Sequence, residues 1–496
     1  MTHKTVLAVD LGAESGRVMA VHFDGERLHL EELHRFPNGA VNVRGTLYWD
    51  FLHLWAEIQA GIERGKAHHP AGIGVDTWGV DFGLLDRDGR LLSNPVCYRD
   101  GRTEGMMAAA FARVPQAEIF AQTGIQFARY NTLYQLLSLV ESQSPLLEAA
   151  DTLLLSPDLL NYWLTGVKAA EQTIASTTQM VDVQTRQWAA NLLARLDIPA
   201  RLLPPLVASG TRLGRYDDIP VFASGGHDTA SAVAAVPTQT ADYGYISSGT
   251  WSLVGLEMER PFLTPAALAA NVTNEGGVDG SVRLLVNVAG LWLVQQCRAA
   301  WRRNGREFDY PTLVKLAEAA PPLTVFINPN APEFLTPGDY PALVRAFCAR
   351  TYQPVPQDEG AVVRVLLESL ALEYRTVFDR LAGLTGRAIE VIHIVGGGTQ
   401  NQLLNQMTAD ATNRPVITGP IEATVLGNAL VQLIALGELA DLREGRQVVA
   451  QSDLLRRYEP GKETAVWAEA HGRYLEILST DFTDFRRGME DGAEGS

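Results

Sequence analysis

The chain has 496 residues, of which 46% are hydrophobic and 20% charged, which is typical of a globular protein with two or three domains. Its 41 basic and 57 acidic residues give a formal net charge of −16. This acidic excess disfavours binding to a polyanion, so we do not expect nucleic acid as a partner.

The cysteines and the apolar runs bear on the compartment. Cys97, Cys297 and Cys348 lie far apart without metal-ligand spacing, which favours a reducing compartment over a disulfide framework. The first residues lack the apolar core of a signal peptide, and no run approaches the ~18 apolar residues of a membrane span. We therefore expect a cytoplasmic protein without a membrane partner. The sequence leaves both a monomer and a dimer open.

The first part of the chain predicts a strand meander. Apolar runs separated by turn residues predict three strands in TVLAVDLG, RVMAVHFDG and LHLEELHRF. A helix is predicted from Asp50 to about Lys66, and a buried strand in AGIGVDTWG. Such alternation of strands and helices indicates an α/β fold.

A similar order of elements recurs from about Asp242. Strands are predicted in YGYISSGTW, SLVGLEME and VRLLVNVAG, followed by the helix LWLVQQCRAAW. A long helix from Glu359 to about Leu384 follows, and then the strand IEVIHIVGGG, a helix from about Gln402, the strand PVIT and the helix EATVLGNALVQLIALG.

This repeated order predicts two tandem α/β domains, over residues 1–238 and 239–445. The chain would cross between them near Val236–Thr240, and residues 446–496 would form an extension without an assigned role. A cleft between two such domains is a common place for a ligand.

The stretch VFASGGHDTASAVAAV places Asp228 where a glycine turn meets a helix. Asp is a good helix N-cap, so capping is one interpretation of this residue. The other is that the carboxylate faces a cleft and accepts or donates a proton there. The stretch alone leaves both interpretations open.

Three glycine-containing turns are candidate phosphate or nucleotide contacts. In Asp10–Arg17 the backbone amides, Ser15 and Arg17 could approach phosphates, and Asp10 could hold a hydrated Mg²⁺. Ser247–Ser252 is the matching turn of the second half. VGGGTQN removes side chains where a nucleotide could lie, although the dinucleotide fingerprint is not met. Each turn by itself is equally typical of ordinary structure.

A fourth stretch, VDTWGVDFG, combines two carboxylates, a tryptophan and two glycines. Aromatic faces and carboxylates suit a polyhydroxylated substrate, and a half-buried strand edge is the alternative. The histidines have no zinc-binding spacing.

Taken in chain order, these stretches resemble the FGGY carbohydrate kinases, in the wider fold group of sugar kinases, Hsp70 and actin. The resemblance covers roughly residues 5 to 430 and rests on AVDLGAESGRVM, HRFPNG, GVDTWGVDFGLLD, YRDGRTEGM, GIQFARYNTLYQL, HDTASAV, YISSGTWSLVG, NEGG, NVAGLWLVQQ, INPN and HIVGGGTQNQLLNQ. It implies two RNase H-like domains with a cleft between them, a sugar substrate, and ATP with Mg²⁺.

The resemblance also implies roles for individual residues. Asp228 matches the family's catalytic base. The nucleotide contacts would be Ala13, Glu14, Ser15, Gly16, Arg17, Thr250, Gln295 and Gly397. The sugar contacts would be Gly79, His227, Asp228, Thr229 and Asn287. Glu14 would repel phosphate unless its side chain points away.

The activity that the resemblance implies is transfer of the γ-phosphoryl group of ATP to the 1-hydroxyl of L-rhamnulose, giving L-rhamnulose 1-phosphate and ADP. The first alternative is the same chemistry on another ketose, L-fuculose or a pentulose. The second is a non-catalytic sugar sensor on the same fold. A sensor that regulates transcription should carry a basic DNA-binding segment, and the sequence has none.

Overall fold

The structure is a computed structural model that describes residues 3–336, 338–452 and 455–493. Packing of the Cα atoms divides the chain into two units. Unit 1 comprises Met1–Gln239, Leu256–Val286 and Glu422–Leu454. Unit 2 comprises Thr240–Gly255, Asn287–Ile421 and Leu455–Ser496.

The first segment of unit 1 carries fourteen strands among the described residues. They are β1 Lys4–Leu11, β2 Ser15–Phe23, β3 Leu28–Pro37, β4 Ala40–Val43, β5 Thr46–Trp49, β6 Ile73–Thr77, β7 Phe82–Leu85, β8 Thr152–Leu155, β9 Ala170–Glu171, β10 Val181–Asp182, β11 Gln187–Trp188, β12 Leu206–Val207, β13 Arg212–Tyr216 and β14 Ile219–Phe222. Its helices are α1 Phe51–Gly65, α2 Met106–Arg113, α3 Gln116–Thr123, α4 Thr132–Glu141, α5 Pro145–Ala149, α6 Ser156–Thr165, α7 Gln172–Ser176, α8 Ala190–Arg195 and α9 Asp228–Ala234.

The rest of the chain continues in both units. Its strands are β15 Tyr243–Ser248, β16 Trp251–Met258, β17 Thr273–Gly276, β18 Val282–Ala289, β19 Val391–Val395, β20 Val416–Thr418 and β21 Arg456–Tyr458. Its helices are α10 Pro265–Ala269, α11 Trp292–Arg303, α12 Tyr310–Ala319, α13 Tyr340–Arg350, α14 Glu359–Thr385, α15 Gln402–Thr412, α16 Ala423–Ala435, α17 Leu442–Ser452 and α18 Thr464–Ala493.

The main sheet of unit 1 has the strand order β13-β14-β6-β1-β2-β3. The predicted meander of β1, β2 and β3 is confirmed and is antiparallel, whereas β6 runs parallel to both β1 and β14. Helix α1 begins after its N-cap Asp50, whose side chain accepts from the His53 amide. It buries Phe51, Leu54, Ile58 and Ile62 against the sheet, the spacing of one helical face.

In unit 2 the neighbouring strands run in the order β16-β15-β19-β20-β21. Strand β15 forms a hairpin with β16 and runs parallel to β19, which in turn runs parallel to β20. Unit 1 has the same arrangement in β2, β1 and β6, so the predicted repeat of element order is confirmed. Helix α14 ends at Gly386, which has the left-handed φ of 70° that glycine adopts without strain.

The units differ from the predicted division into 1–238, 239–445 and 446–496. The first boundary agrees to within a residue or two, but Leu256–Val286 and Glu422–Leu454 pack in unit 1. The segment Glu422–Leu454 packs in unit 1 because its helix α16 is bonded there. Asn428 donates to Asp76, and Gln432 donates to the Leu7 carbonyl. The predicted extension is likewise built into the fold, since β21 pairs with β20.

The three cysteines are free and buried. Burial raises the pKa of the Cys97 thiol to about 12 and that of the Cys348 thiol to about 11, so both stay protonated at neutral pH. In the described part of the chain, we find no helix with the length and apolar character of a membrane span.

Packing of α16 on α9 generates a stability prediction. A Cβ at Gly427 would overlap the carbonyl oxygen of Ser231, which is backbone and cannot turn aside. We expect Gly427→Ala to lower the free energy of unfolding by ~1–3 kcal/mol, the usual cost of overpacking. The control is Gly383→Ala in α14, where a Cβ would meet nothing within 4 Å. Both variants are measured by thermal unfolding. A melting temperature of Gly427→Ala at or above those of wild type and of Gly383→Ala would contradict this account.

Candidate active site

Three carboxylates meet at the carboxyl ends of adjacent strands in unit 1. Asp10 lies directly beside Asp76 in the parallel register of β1 and β6. Thr77 then pairs with His227, which brings the start of α9 to the same edge of the sheet. Asp228, the first residue of α9, is the third carboxylate. Loops at the carboxyl ends of parallel strands are the usual ligand site of open α/β sheets.

Arg17 neutralises part of this cluster. It lies opposite Asp10 in the β1–β2 hairpin, and its Nε and Nη2 donate to Asp10 Oδ2 at 2.9 and 2.5 Å. Its Nη1 forms an ion pair with Glu422, the residue before α16. Burial opposes the charge of Arg17, but the two carboxylates outweigh it and raise the pKa of the guanidinium. One cation is thus held between two anions.

Asp76 is fully buried and only half satisfied. Asn428 Nδ2 donates to its Oδ2 at 2.6 Å, whereas no described residue hydrogen-bonds its Oδ1. Burial, and then repulsion from Asp10, raise the pKa of Asp76 well above that of an exposed aspartate. The cluster therefore carries negative charge that its neighbours do not compensate, and it favours a proton or a cation.

The Asp228 carboxylate is oriented through one of its oxygens. Its Oδ1 accepts from the Thr229 amide at 2.5 Å and from Thr229 Oγ1 at 3.1 Å, and His227 Nε2 lies 3.4 Å away. The N-cap residue of α9 is His227, and its side chain makes no capping hydrogen bond. The Asp228 side chain accepts from one backbone amide of the helix, that of Thr229. Burial raises the pKa of Asp228, His227 opposes this, and Asp10 adds to it.

A buried ion pair fixes the neighbouring histidine. Arg283 is fully buried, and its Nη2 lies 3.0 Å from Glu275 Oε2 and 3.0 Å from His227 Nδ1. A guanidinium can only donate, so Nδ1 must accept and the ring proton sits on Nε2, facing Asp228. Burial opposes the charge of Glu275, but Arg283 outweighs it and holds the pKa of that carboxyl below its usual range.

The loop after β6 contains Gly79 and a strained Val80. A β-branched residue rarely adopts the φ of 69° observed at Val80. Thr177 Oγ1 accepts from the Val80 amide at 3.2 Å, and Thr132 Oγ1 and Gln135 Nε2 donate to its carbonyl at 2.6 and 3.2 Å. Backbone strain held by surrounding hydrogen bonds is a feature of ligand sites.

Asp81, in contrast, is used by the fold. Its carboxylate accepts from the indoles of Trp49 and Trp78 at 2.6 and 2.9 Å, and from Gln135 at 3.2 Å. Burial raises its pKa to about 6, and these donors limit the shift. Trp78 is itself buried, so the interpretation of Trp78 and Asp81 as open sugar contacts is wrong.

The turn at Ala13–Arg17 is held by its backbone. Gly12 N donates to Ser15 O, and Asn38 bonds the carbonyls of Glu14 and Gly12. The Glu14 side chain is exposed. The turn therefore has a fixed shape that does not depend on the Glu14 carboxylate.

Unit 2 contains the corresponding hairpin turn and the glycine-rich turn. Gly249 N donates to Trp251 O, and the amide of Trp292 at the start of α11 donates to the Thr250 carbonyl at 3.1 Å. Gly396 and Gly398 pack on Ser248 so closely that a Cβ on either would clash, whereas a Cβ on Gly397 would meet nothing within 4 Å. The backbone at Gly397 is thus open to a ligand.

Two more predicted residues lie in unit 2. Gln295 is on α11, and no described residue hydrogen-bonds its buried Oε1. Asn287 is half-buried near the end of β18. Gln295 therefore has a polar atom that a ligand could satisfy.

The predicted residues thus fall into two groups. Unit 1 brings Asp10, Arg17, His227, Asp228 and Thr229 together, and unit 2 brings Thr250 and Gly397 beside the end of β15. Sequence reasoning offered Asp76 only as a candidate sugar contact, and it missed four residues around the carboxylates: Glu275, Arg283, Glu422 and Asn428. For Arg283 and Asn428 the only sequence signal is a charged or amide side chain within a largely apolar element.

Two family models match this chain. The model of the N-terminal domain of the FGGY family of carbohydrate kinases matches residues 5–235, and that of the C-terminal domain matches residues 244–436. The chain therefore belongs to the FGGY family of carbohydrate kinases, and it is an enzyme that uses a sugar and ATP.

Similar individual proteins include two rhamnulokinases. That of Bacteroides thetaiotaomicron is 43% identical, over 94% of this chain and 97% of that protein. That of Pectobacterium atrosepticum is 43% identical, over 97% of both. Among solved structures, a xylulose kinase of Lactobacillus acidophilus matches with a TM-score of 0.79 at 18% identity, covering 96% of this chain and 98% of that one. Glycerol kinase of Plasmodium falciparum with ADP matches with a TM-score of 0.76 at 18% identity, covering 95% and 98%.

The Arg283–Glu275 pair generates a prediction. Arg283→Met leaves the Glu275 carboxylate buried without its cation, and we expect it to lower the free energy of unfolding by ~3–5 kcal/mol. The double variant Arg283→Met/Glu275→Gln removes both charges and should recover a large part of that loss. Chemical or thermal unfolding of the two variants measures this. Equal or greater loss in the double variant would show that the uncompensated carboxylate is not the cause.

Proposed function

We propose that this carbohydrate kinase transfers the γ-phosphoryl group of ATP to the 1-hydroxyl of L-rhamnulose, giving L-rhamnulose 1-phosphate and ADP. The observation that carries the proposal is the Asp228 carboxylate, bonded through Oδ1 and without a described partner at Oδ2. The choice of sugar rests on the rhamnulokinases that are 43% identical over nearly the whole chain.

Asp228 acts as the general base in this proposal. The sugar hydroxyl donates to Asp228 Oδ2, its oxygen attacks the γ-phosphorus of ATP, its proton passes to the carboxylate, and the bond from phosphorus to the ADP oxygen breaks. The transition state of phosphoryl transfer is loose, so alignment of the hydroxyl contributes more than strong basicity. The raised pKa of Asp228 still makes the carboxylate a better proton acceptor than an exposed aspartate.

His227 and Thr229 position that base. Thr229 holds Oδ1 through two donors, and His227 Nε2 lies 3.4 Å from the same oxygen. Rotation about the carboxylate is thereby restricted, so Oδ2 keeps one direction. We propose that these residues, with Gly79 and Asn287, also contact the sugar.

Mg²⁺ fits the carboxylates of unit 1. Asp76 Oδ1 is buried without a described partner, and carboxylate oxygens are the ligands that this ion prefers. We propose that Asp10 holds the ion through water. When bound with ATP, the ion would neutralise charge on the phosphate oxygens.

We propose nucleotide contacts in each of the two units. In unit 1 we propose the turn Ala13–Arg17, through its backbone amides and Ser15. In unit 2 we propose Thr250, Gln295 and Gly397, supported by the unsatisfied Gln295 Oε1 and the open face of Gly397. The Glu14 side chain is exposed, so solvent and salt screen its repulsion of phosphate.

A panel of sugars tests the substrate. We expect rapid ADP release from ATP and Mg²⁺ with L-rhamnulose, and slow release with L-fuculose, L-xylulose, D-xylulose, D-ribulose, glycerol or no sugar. A pocket distinguishes one methyl group by ~1–3 kcal/mol, so discrimination of 10-fold to 200-fold against close analogues is expected. Faster turnover with a different ketose would keep the chemistry and overturn the substrate. A folded protein that binds ATP but turns over no sugar would favour a sensor.

A variant of the proposed base, Asp228→Asn, is the control for the panel. Asp228→Asn keeps the shape of the side chain but cannot accept the proton, so kcat should fall by ~10²–10⁴ while the fold is retained. Asp88→Asn, in an exposed turn, is the matched variant and should keep wild-type turnover. Wild-type kcat in Asp228→Asn would remove this residue from the mechanism.

A further inference from the structure

A second cluster of titratable side chains lies at the other end of β1 from Asp10. Thr5 pairs with His22 across the β1–β2 hairpin, roughly 16 Å along the strand from Asp10. His22 Nε2 lies 3.4 Å from Glu31 Oε2, and His68 Nε2 lies 3.7 Å from Glu31 Oε1. The three ligand atoms all lie within 4.8 Å of one another.

The fold explains why these side chains meet. In the β2–β3 register Ala20 lies opposite Glu31, so Glu31 and His22 are diagonal neighbours on one face of the sheet. The same face packs against α1, and His68 is in the 3₁₀ turn Lys66–His68 that follows this helix. Three separate elements of unit 1 therefore contribute one ligand each.

The spacing suits a tetrahedral metal ion. Ligand atoms ~2.0–2.2 Å from a zinc ion are roughly 3.3–3.5 Å apart in tetrahedral geometry. The nitrogen–oxygen distances are close to this, at 3.4 Å from His22 Nε2 to Glu31 Oε2 and 3.7 Å from His68 Nε2 to Glu31 Oε1. Only small movements of these three side chains would be needed to bind the ion.

Thr5 supplies the outer support that metal-binding histidines require. Its Oγ1 lies 2.9 Å from His22 Nδ1. Without an ion, His22 Nε2 hydrogen-bonds to Glu31 Oε2, so its proton lies on Nε2 and the Thr5 hydroxyl donates to Nδ1. When an ion replaces the proton on Nε2, the Nδ1 proton can be accepted by the same hydroxyl. Hydrogen bonding of the second imidazole nitrogen is how proteins orient a ligating histidine.

Lys66, two residues before His68, pairs with other carboxylates than Glu31. Lys66 Nζ lies 2.6 Å from Glu63 and 2.8 Å from Asp217, so it is already paired with two carboxylates. The side chains of His22 and His68 are 30% and 27% exposed, which gives an ion access and leaves room for a water ligand. The position therefore combines an available anion, two imidazoles and an open coordination site.

We propose that His22, Glu31 and His68 form a binding site for Zn²⁺ or a similar transition-metal ion. The ligand set of two imidazoles and one carboxylate selects such ions over Mg²⁺, which prefers oxygen ligands. The site is separate from the carboxylate cluster at the other end of β1. Its ion would join β2 and the edge strand β3 to the end of α1, and would stabilise unit 1 without taking part in phosphoryl transfer.

The test is Zn²⁺ titration of the tag-free, full-length protein by calorimetry, with excess Mg²⁺ present to occupy carboxylate sites. We expect one equivalent of Zn²⁺ to bind, and Co²⁺ at the same position to give the visible absorption of a tetrahedral site. His22→Ala and His68→Ala should each weaken binding at least tenfold and abolish this absorption. Thr5→Val should weaken binding 10-fold to 100-fold, because the support of His22 is lost.

The matched control is His53→Ala. His53 is a half-exposed histidine on α1 that lies 3.9 Å from Glu57, and we expect its replacement to leave Zn²⁺ binding unchanged. Thermal unfolding with and without Zn²⁺ gives a second measurement, in which the ion raises the melting temperature of wild type and of His53→Ala only. Wild-type protein that binds no Zn²⁺, or His68→Ala protein that binds it as tightly as wild type, overturns the proposal.

Discussion

Electrostatic repulsion between carboxylates at adjacent strand ends is the constraint on which the site depends. The parallel register of β1 and β6 places Asp10 beside Asp76, and the bridge from Thr77 to His227 adds Asp228. Repulsion of this kind destabilises a fold unless nearby groups compensate it. Unit 1 supplies Arg17 to Asp10 and Asn428 to Asp76, and leaves part of the charge for a cation to balance.

The same constraint accounts for the shape of unit 1. Asn428 reaches Asp76 only because α16 packs against α9, and the absence of a Cβ at Gly427 permits that packing. A segment more than 180 residues after α9 is thereby required to complete the carboxylate site. Glu422, immediately before α16, adds the second anion to Arg17. The position of α16 is thus a requirement of both the core and the carboxylate cluster.

Sequence reasoning was sufficient where local physics decides the outcome. Apolar alternation and turn residues predict β1, β2, β3 and β6, and one helical face predicts α1. Sequence reasoning was insufficient where the contacts of a residue are made with residues far away in the chain. Nothing local to Arg283 indicates that it holds His227, and nothing local to Asn428 indicates that it bonds Asp76. Asp81 shows the opposite error, since a carboxylate in a motif rich in candidate ligands is held by two buried indoles.

The pH dependence of kcat/KM tests the central claim that the partly buried Asp228 carboxylate accepts the substrate proton. Burial and Asp10 raise the pKa of Asp228 above the ordinary value of 3.8, and His227 only partly opposes them. The base works as the anion, so activity is lost as the pH falls through this raised pKa. We predict an acidic limb centred above pH 3.8 in protein that remains folded. A rate that stays constant down to that pH would contradict the account.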